Sequence, residues 1–319
     1  MASDQRDLHD DESAGTPWAL GLSVRLVLLP ALVVLTLVAL FAGVGWLMSS
    51  PKDADSLVAA LEQGGNTRWR AAVDLAGMLS QPGDTGLKSD PALAGRLIEI
   101  LQREIEAGDT REGPIILRMY LCRALGEFHV ADPLPVLILA ARTERDAAEL
   151  DVRCSAVEAM AVLASNLGPA GLEARAELTA VLLEAAEDPR PRLRSTAAFA
   201  LGVIGGSRPE ARLEALLSDG HADVRYNAAT GLARHGNAKA VDVLLEMLDP
   251  AGPAAIEAEE SEAGRKLRRA MILTNALRAT RQLAAENPTL DAGPLAEAAR
   301  RLAVSDADDA VRAEAAEVC

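Results

Sequence analysis

A short motif that recurs in the second half of the chain constrains the fold more than any other feature. It consists of an aspartate, an arginine six positions later, and two alanines three and four positions beyond the arginine. Three copies carry the whole pattern: Asp188 with Arg194, Asp219 with Arg225, and Asp306 with Arg312. Adjacent small residues let two helix backbones approach closely. The motif therefore predicts helices that pack side by side.

Weaker copies keep the arginine and the apolar positions without the aspartate. They lie at Arg68, Arg118 and Arg153, with a degenerate copy around Arg268 and Arg269. The arginines of the first five copies are 50, 35, 41 and 31 residues apart, a range that brackets a two-helix repeat. A Leu/Ala-rich amphipathic segment precedes each copy. Residues 54–319 are therefore predicted to form an all-α solenoid of about seven helix pairs.

This stretch resembles HEAT repeats, and more narrowly the short repeats shared with phycocyanobilin-lyase-type proteins. The resemblance implies a hydrogen-bond ladder between adjacent repeats, formed by Asp188, Arg194, Asp219, Arg225, Asp306 and Arg312. Arg225 is expected to be structural, because a guanidinium beside a core has five donors that need acceptors. The copies without the aspartate are not expected to share the ladder, although Asp151 could substitute next to Arg153.

An uncharged run precedes the repeats. Residues 26–51 contain no charged side chain, and Arg25 and Lys52 bound the run. Its apolar part would span roughly 33 Å as a helix, about the thickness of a bilayer core. We predict a single transmembrane helix over residues 22–50, after an acidic, disordered tail over residues 1–21. A cleaved signal peptide is the alternative, but its start is usually basic, whereas this one is acidic.

The predicted location is a membrane, crossed once. The arginine- and alanine-rich composition is typical of a GC-rich bacterial genome, so we expect a bacterial inner membrane. The few basic residues that flank the run do not decide on which side the repeats lie.

Charge and composition argue against several functions. The net charge is −15, which would repel a phosphate backbone, so nucleic acid is not an expected partner. The three cysteines form no C-x-x-C pair, and no two histidines are four residues apart as zinc ligands on one helix would be. Glycine-rich phosphate loops and nucleophile elbows are also missing from the sequence. The sequence therefore predicts no enzyme activity, no metal and no cofactor.

Two features are candidate contact sites for a protein partner. The first is a Pro/Gly-rich insert at residues 249–266 that carries Glu257, Glu259, Glu260 and Glu262, because insertions in solenoids often lie on the binding face. The second is a set of aromatic residues at or next to the position after the motif arginine: Trp69, Tyr120 and Tyr226. Aromatic side chains often dominate interface energies. A solvated insert and aromatics used for helix packing remain the alternatives.

Together these features predict a membrane-anchored, non-catalytic scaffold that binds a protein through an extended solenoid surface. A bilin lyase-like or related enzyme is one alternative, implied only by the resemblance. An assembly factor for a membrane complex is another.

Overall fold

The computed structural model describes residues 53–63, 65, 67–83, 86–168, 175–249, 261–306 and 308–318. The predicted tail (1–21), the predicted membrane helix (22–50), and the glutamates Glu257, Glu259 and Glu260 lie outside these residues. Among the residues that are described, no helix combines the length and the apolar character that crossing a bilayer requires. The residues from Ala54 onward form one compact unit.

Fourteen α-helices and no strands make up the described part of the chain. The prediction of an all-α fold is confirmed there. In chain order the helices are α1 (Ala54–Glu62), α2 (Arg68–Leu79), α3 (Pro91–Ala107), α4 (Glu112–Gly126), α5 (Leu134–Arg142), α6 (Leu150–Leu167), α7 (Arg175–Ala185), α8 (Pro191–Ile204), α9 (Ser207–Leu216), α10 (Ala222–Arg234), α11 (Val241–Met247), α12 (Glu262–Glu286), α13 (Gly293–Ser305) and α14 (Asp309–Ala316).

The helices pair in sequence, α1 with α2 through to α13 with α14, and the pairs form two layers. The odd-numbered helices form a first-helix layer, and the even-numbered ones form a second-helix layer. The most extensive contacts join successive second helices from α2 with α4 to α8 with α10. Each repeat therefore packs mainly on its neighbours, as a solenoid requires.

Helix α3 shows how the sequence defines one of these elements. Asp90 accepts hydrogen bonds from the backbone N–H groups of Ala92 and Leu93, and Pro91 occupies the first helical position, where its missing N–H costs nothing. Gly108 ends the helix in the left-handed conformation, with φ 62°. Apolar residues four apart face the core: Leu93, Leu97 and Leu101.

Small residues set the close spacing of the second-helix layer. A Cβ atom on Gly202 of α8 would lie 2.5 Å from the Cα of Gly231 of α10. A Cβ on Gly126 of α4 would lie 2.8 Å from the Cα of Ala159 of α6. These distances are shorter than a carbon–carbon contact allows, so the backbones at these crossings approach as closely as glycine permits.

The predicted insert over residues 249–266 ends earlier than the sequence suggested. Helix α12 begins at Glu262, because the Ser261 hydroxyl accepts a hydrogen bond from the backbone N–H of Gly264 at 2.9 Å and caps it. Glu262 pairs with Lys266 one turn on, at 2.8 Å. Residues 262–266 are therefore helical, and the prediction of a loop there is wrong.

Candidate functional site

A ladder of arginines joins the repeats. Arg194 of α8 donates from Nε and Nη2 to the carboxylate of Asp219, in the turn before α10, at 2.8 and 2.9 Å. Its remaining nitrogen, Nη1, donates to the backbone carbonyl of Asp188 at 3.0 Å. One guanidinium therefore closes the turn of its own repeat and holds the carboxylate of the next repeat.

The same arrangement recurs at every junction between repeats. The motif arginine of each second helix donates to a carboxylate of the following repeat. The pairs are Arg68–Glu104, Arg118–Glu149, Arg153–Asp188, Arg194–Asp219, Arg225–Glu246 and Arg269–Asp306. Five of these arginines also donate to a backbone carbonyl of their own repeat: that of Leu61, Asp109, Ala141, Asp188 or Asp219. We call this set the arginine ladder.

The arginine ladder joins adjacent repeats and includes more arginines than expected. The carboxylate of each motif accepts from the arginine of the preceding repeat, and its own arginine reaches only its backbone carbonyl. Arg312, for example, donates to the Asp306 carbonyl at 2.8 Å. The ladder also includes Arg68, Arg118 and Arg153, where it was not expected. Glu104 and Glu149 accept from the first two, and the motif aspartate Asp188 of the next repeat accepts from Arg153. Asp151 pairs instead with Arg192 of α8.

Three aspartates of the ladder are held ionised, because arginines donate hydrogen bonds to their carboxylates. Hydrogen bonds from Arg190 lower the pKa of Asp188 to about 2. Arg194 and Arg269 lower the pKa values of Asp219 and Asp306 in the same way. Because these carboxylates are already paired with arginines, they are not available to bind a ligand.

A groove follows the exposed face of the second-helix layer. It consists of three hollows that share residues. One of about 810 Å³ lies over α6, α8 and α10, a second of about 810 Å³ extends to α12, and a third of about 360 Å³ lies over α2, α4 and α6. Glu158 of α6 lines all three. The hollows therefore form one surface that crosses six repeats.

One motif position supplies the side chains along this groove. The residue five positions after the motif arginine lines a hollow in each of the first five copies: Val73, Arg123, Glu158, Phe199 and Thr230. We call these residues the groove row. Five residues correspond to about 500° of helix rotation, so this position points away from the ladder. The sequence signal for the groove is therefore the fifth position after the motif arginine.

The three aromatic residues predicted to contact a partner are all buried or partly buried. Tyr226 is only 4% exposed, and its hydroxyl donates to Glu246 at 3.0 Å. Tyr226 lines the second hollow but is so little exposed that it serves mainly to pack the helices, and its contact with a partner stays a prediction. Trp69 and Tyr120 are half-buried, and a guanidinium lies over each ring, that of Arg70 at 5.2 Å and that of Arg123 at 4.9 Å.

The predicted partner-binding residues do not form one cluster. Trp69 lines a separate hollow near the turn before α4, and Tyr120 lines the smallest of the three groove hollows. Glu262 is exposed and paired with Lys266. Exposed apolar side chains that the sequence analysis passed over lie in the groove instead: Phe199 of α8 is 40% exposed and Met271 of α12 is 57% exposed.

The described residues offer no evident catalytic chemistry. Within the described ranges no three His, Cys, Asp or Glu side chains come together as metal ligands would. Burial raises the pKa of the Cys122 thiol to about 12 and also raises that of Cys154, so neither forms a reactive thiolate near neutral pH.

The comparisons with known proteins agree with the repeat architecture. Residues 179–261 match a family profile described as HEAT repeats. This match covers α8 to α11 and about a quarter of the chain, including two complete copies of the motif. No curated protein matches the chain.

The chain is similar to several solved structures. An engineered protein is 22% identical, with 83% of this chain and 94% of that one covered, at a TM-score of 0.36. A Kap121p mutant is 15% identical, with 83% and 31% covered, at 0.46. Human deoxyhypusine hydroxylase in complex with glycerol is 21% identical, with 83% and 94% covered, at 0.32. These low TM-scores support no statement about function.

Proposed function

We propose that the chain is a non-catalytic scaffold, anchored in a membrane by residues 22–50, that holds a protein partner along the groove of its second-helix layer. The observation that carries this proposal is the groove row. One motif position, repeated five times, lines successive hollows of a single surface. A repeat scaffold of this kind suits an extended partner segment better than a compact small molecule.

The composition of the groove supports a protein ligand. Phe199 and Met271 expose apolar surface, and charged and amide side chains line the same hollow, among them Glu158 and Asn275. Aromatic residues and methionine surrounded by polar groups are typical of protein interfaces. No arrangement in the described part of the chain favours the alternative of a bilin lyase-like enzyme.

The anchor rests on the sequence. The uncharged run of residues 26–51 has the length of a bilayer core. The protein should therefore remain in the pellet after membranes are washed with alkaline carbonate, and its mature form should retain peptides from residues 1–25. Release into the supernatant, or the loss of those peptides, would contradict the anchor and favour a cleaved signal peptide.

Crosslinking in native membranes, followed by mass spectrometry, tests the scaffold role. The wild-type protein is compared with a variant that places charge in the groove, Phe199→Glu with Met271→Glu. A matched control, Val304→Glu, changes an apolar residue of α13 that is 86% exposed and does not line the groove. We expect one partner with the wild type and with the control, and none with the groove variant. Equal capture by all three proteins would place the binding surface elsewhere.

A further inference from the structure

The narrow centre of the groove has a distinct chemistry. Five residues line both of the larger hollows and so mark the place where these meet: Glu158, Ser195, Phe199, Asp223 and Asn227. We call this set the groove waist. It lies on α6, α8 and α10, in the middle of the solenoid.

The donors of the groove waist are already used within the chain. The Asn227 side chain donates from Nδ2 to the backbone carbonyl of Ser195 at 3.0 Å and to its Oγ at 2.9 Å. The Ser195 hydroxyl donates in turn to the backbone carbonyl of Asp223 at 3.2 Å. The amide oxygen of Asn227 remains as an acceptor. The waist therefore presents acceptors to a ligand and has no side-chain donor left to offer.

Of the two carboxylates at the waist, only one is already paired. Asp223 accepts from Arg268 at 2.6 and 2.7 Å, and Arg192 beside the waist is bonded to Asp151. Glu158, in contrast, makes no hydrogen bond or ion pair with any residue that the structure describes. Arginines also line the hollows, among them Arg123, Arg192 and Arg234, so it is the unpaired Glu158 carboxylate, and not the charge of the whole groove, that favours a cation here.

An exposed aromatic ring completes the waist. Phe199 lies one helix along from Glu158, and its side chain is 40% exposed to the groove. A guanidinium is planar, carries five donors and no acceptor, and stacks on aromatic faces, whereas an ammonium is compact and strongly hydrated. The combination of free acceptors, a carboxylate and a ring face therefore fits arginine better than lysine.

We infer that the groove waist binds an arginine side chain of the partner's bound segment. Its guanidinium donates to the Glu158 carboxylate and rests against the ring of Phe199. The inference rests on the proposed function, because it names the chemistry of the partner that the scaffold holds.

The test uses the full-length protein and a pair of fluorescein-labelled twelve-residue peptides, built from leucine and serine, that differ only at one central residue. One carries arginine there, and the other carries citrulline, which has almost the same shape without the charge. Fluorescence anisotropy gives the two dissociation constants. The arginine peptide should bind at least roughly tenfold more tightly, as expected for a hydrogen-bonded charge.

Two variants separate the waist from general attraction to an acidic protein. Glu158→Gln should abolish most of the preference for arginine, and Phe199→Leu, which keeps an apolar side chain, should reduce it roughly two- to fivefold. Glu177→Gln removes the same charge from an exposed residue of α7, outside the groove, and should leave the preference unchanged. A preference that Glu158→Gln and Glu177→Gln reduce equally, or no preference at all, overturns the inference.

The outcome is independent of the scaffold test. A partner that crosslinks in the groove, combined with equal binding of the two peptides, would retain the scaffold role and overturn the arginine site. A Glu158-dependent preference without any crosslinked partner would support the arginine site and remove the scaffold role.

Discussion

Both carboxylate oxygens of Asp219 accept hydrogen bonds from the Arg194 guanidinium, at 2.8 and 2.9 Å, and so connect α8 to the turn before α10. The side chains of the two residues are 16% and 9% exposed. A bidentate pair that water reaches so little is stronger than an ordinary surface ion pair. Pairs of this kind hold the second helices in register and so keep the groove row continuous.

The ladder should be most important for stability where it is most buried. Arg118 and Glu149 are each 1% exposed and lie 2.9 Å apart. Arg118→Ala should lower the free energy of unfolding by roughly 3–5 kcal/mol, because the Glu149 carboxylate is left buried without its partner. Arg225→Ala should cost less, roughly 1–2 kcal/mol, since its partner Glu246 is 37% exposed.

Urea denaturation, followed by circular dichroism, measures both effects. Arg96→Ala provides the control, because Arg96 pairs with Glu62 across the first-helix layer, where both side chains are well exposed. Its urea midpoint should stay near that of the wild type. An Arg118→Ala midpoint equal to that of Arg96→Ala would show that the ladder does not stabilise the solenoid.

The ladder also predicts a dependence of stability on pH. The folded-state pKa of Asp188 is about 2, below the ordinary value of 3.8. Its ionised form therefore stabilises the fold at all pH values above about 4, and this contribution is lost as the pH falls from about 4 to about 2. Asp188→Asn keeps the backbone carbonyl that Arg194 uses but lacks the titrating charge.

Urea midpoints at several pH values check this prediction. The difference in unfolding free energy between wild type and Asp188→Asn should be constant from pH 7 to pH 5 and should shrink between pH 4 and pH 2. Asp132→Asn, at an exposed aspartate outside the ladder, should follow the wild-type curve. A difference that grows on acidification would have the wrong sign for a carboxylate with a lowered pKa.

The close approach of α8 and α10 predicts opposite effects for two glycine substitutions. Gly202→Ala should destabilise the protein, because the new Cβ would lie 2.5 Å from the Gly231 Cα. Gly77→Ala lies in the interior of α2 with no atom within 4 Å of the new Cβ, so it should stabilise the protein by roughly 0.5–1 kcal/mol through helix propensity. Thermal unfolding measures both, and a raised melting temperature for Gly202→Ala would contradict the packing of the layer.

The repeats could be predicted from sequence because each is a local pattern. The motif Arg194-x2-Ala197-Ala198 contains the ladder donor and two fully buried small residues within five positions. The acceptors could not all be predicted, because Glu104, Glu149 and Glu246 belong to the next repeat and lie 36, 31 and 21 residues from their arginines. Such offsets depend on turn lengths, which the motif does not encode.

The positions predicted to contact a partner and the groove row overlap only in part. The position directly after the motif arginine lines the groove at Ser195 and Tyr226, whereas the position five residues after the arginine lines it in five copies, as at Phe199. Periodicity shows which residues share a face, but which polar face stays open depends on the helix packed beside it. Here Tyr226 is 4% exposed and its hydroxyl donates to Glu246 of α11, while Phe199 is 40% exposed.

Site-specific photocrosslinking tests the central claim most directly. A photoreactive amino acid is placed at Thr230 of the groove row in one protein and at Glu177 of the first-helix layer in another, and each full-length protein is irradiated in native membranes. We predict that one partner crosslinks from Thr230 and not from Glu177. Crosslinking from Glu177 alone, or from both positions equally, would contradict the groove of the second-helix layer as the binding surface.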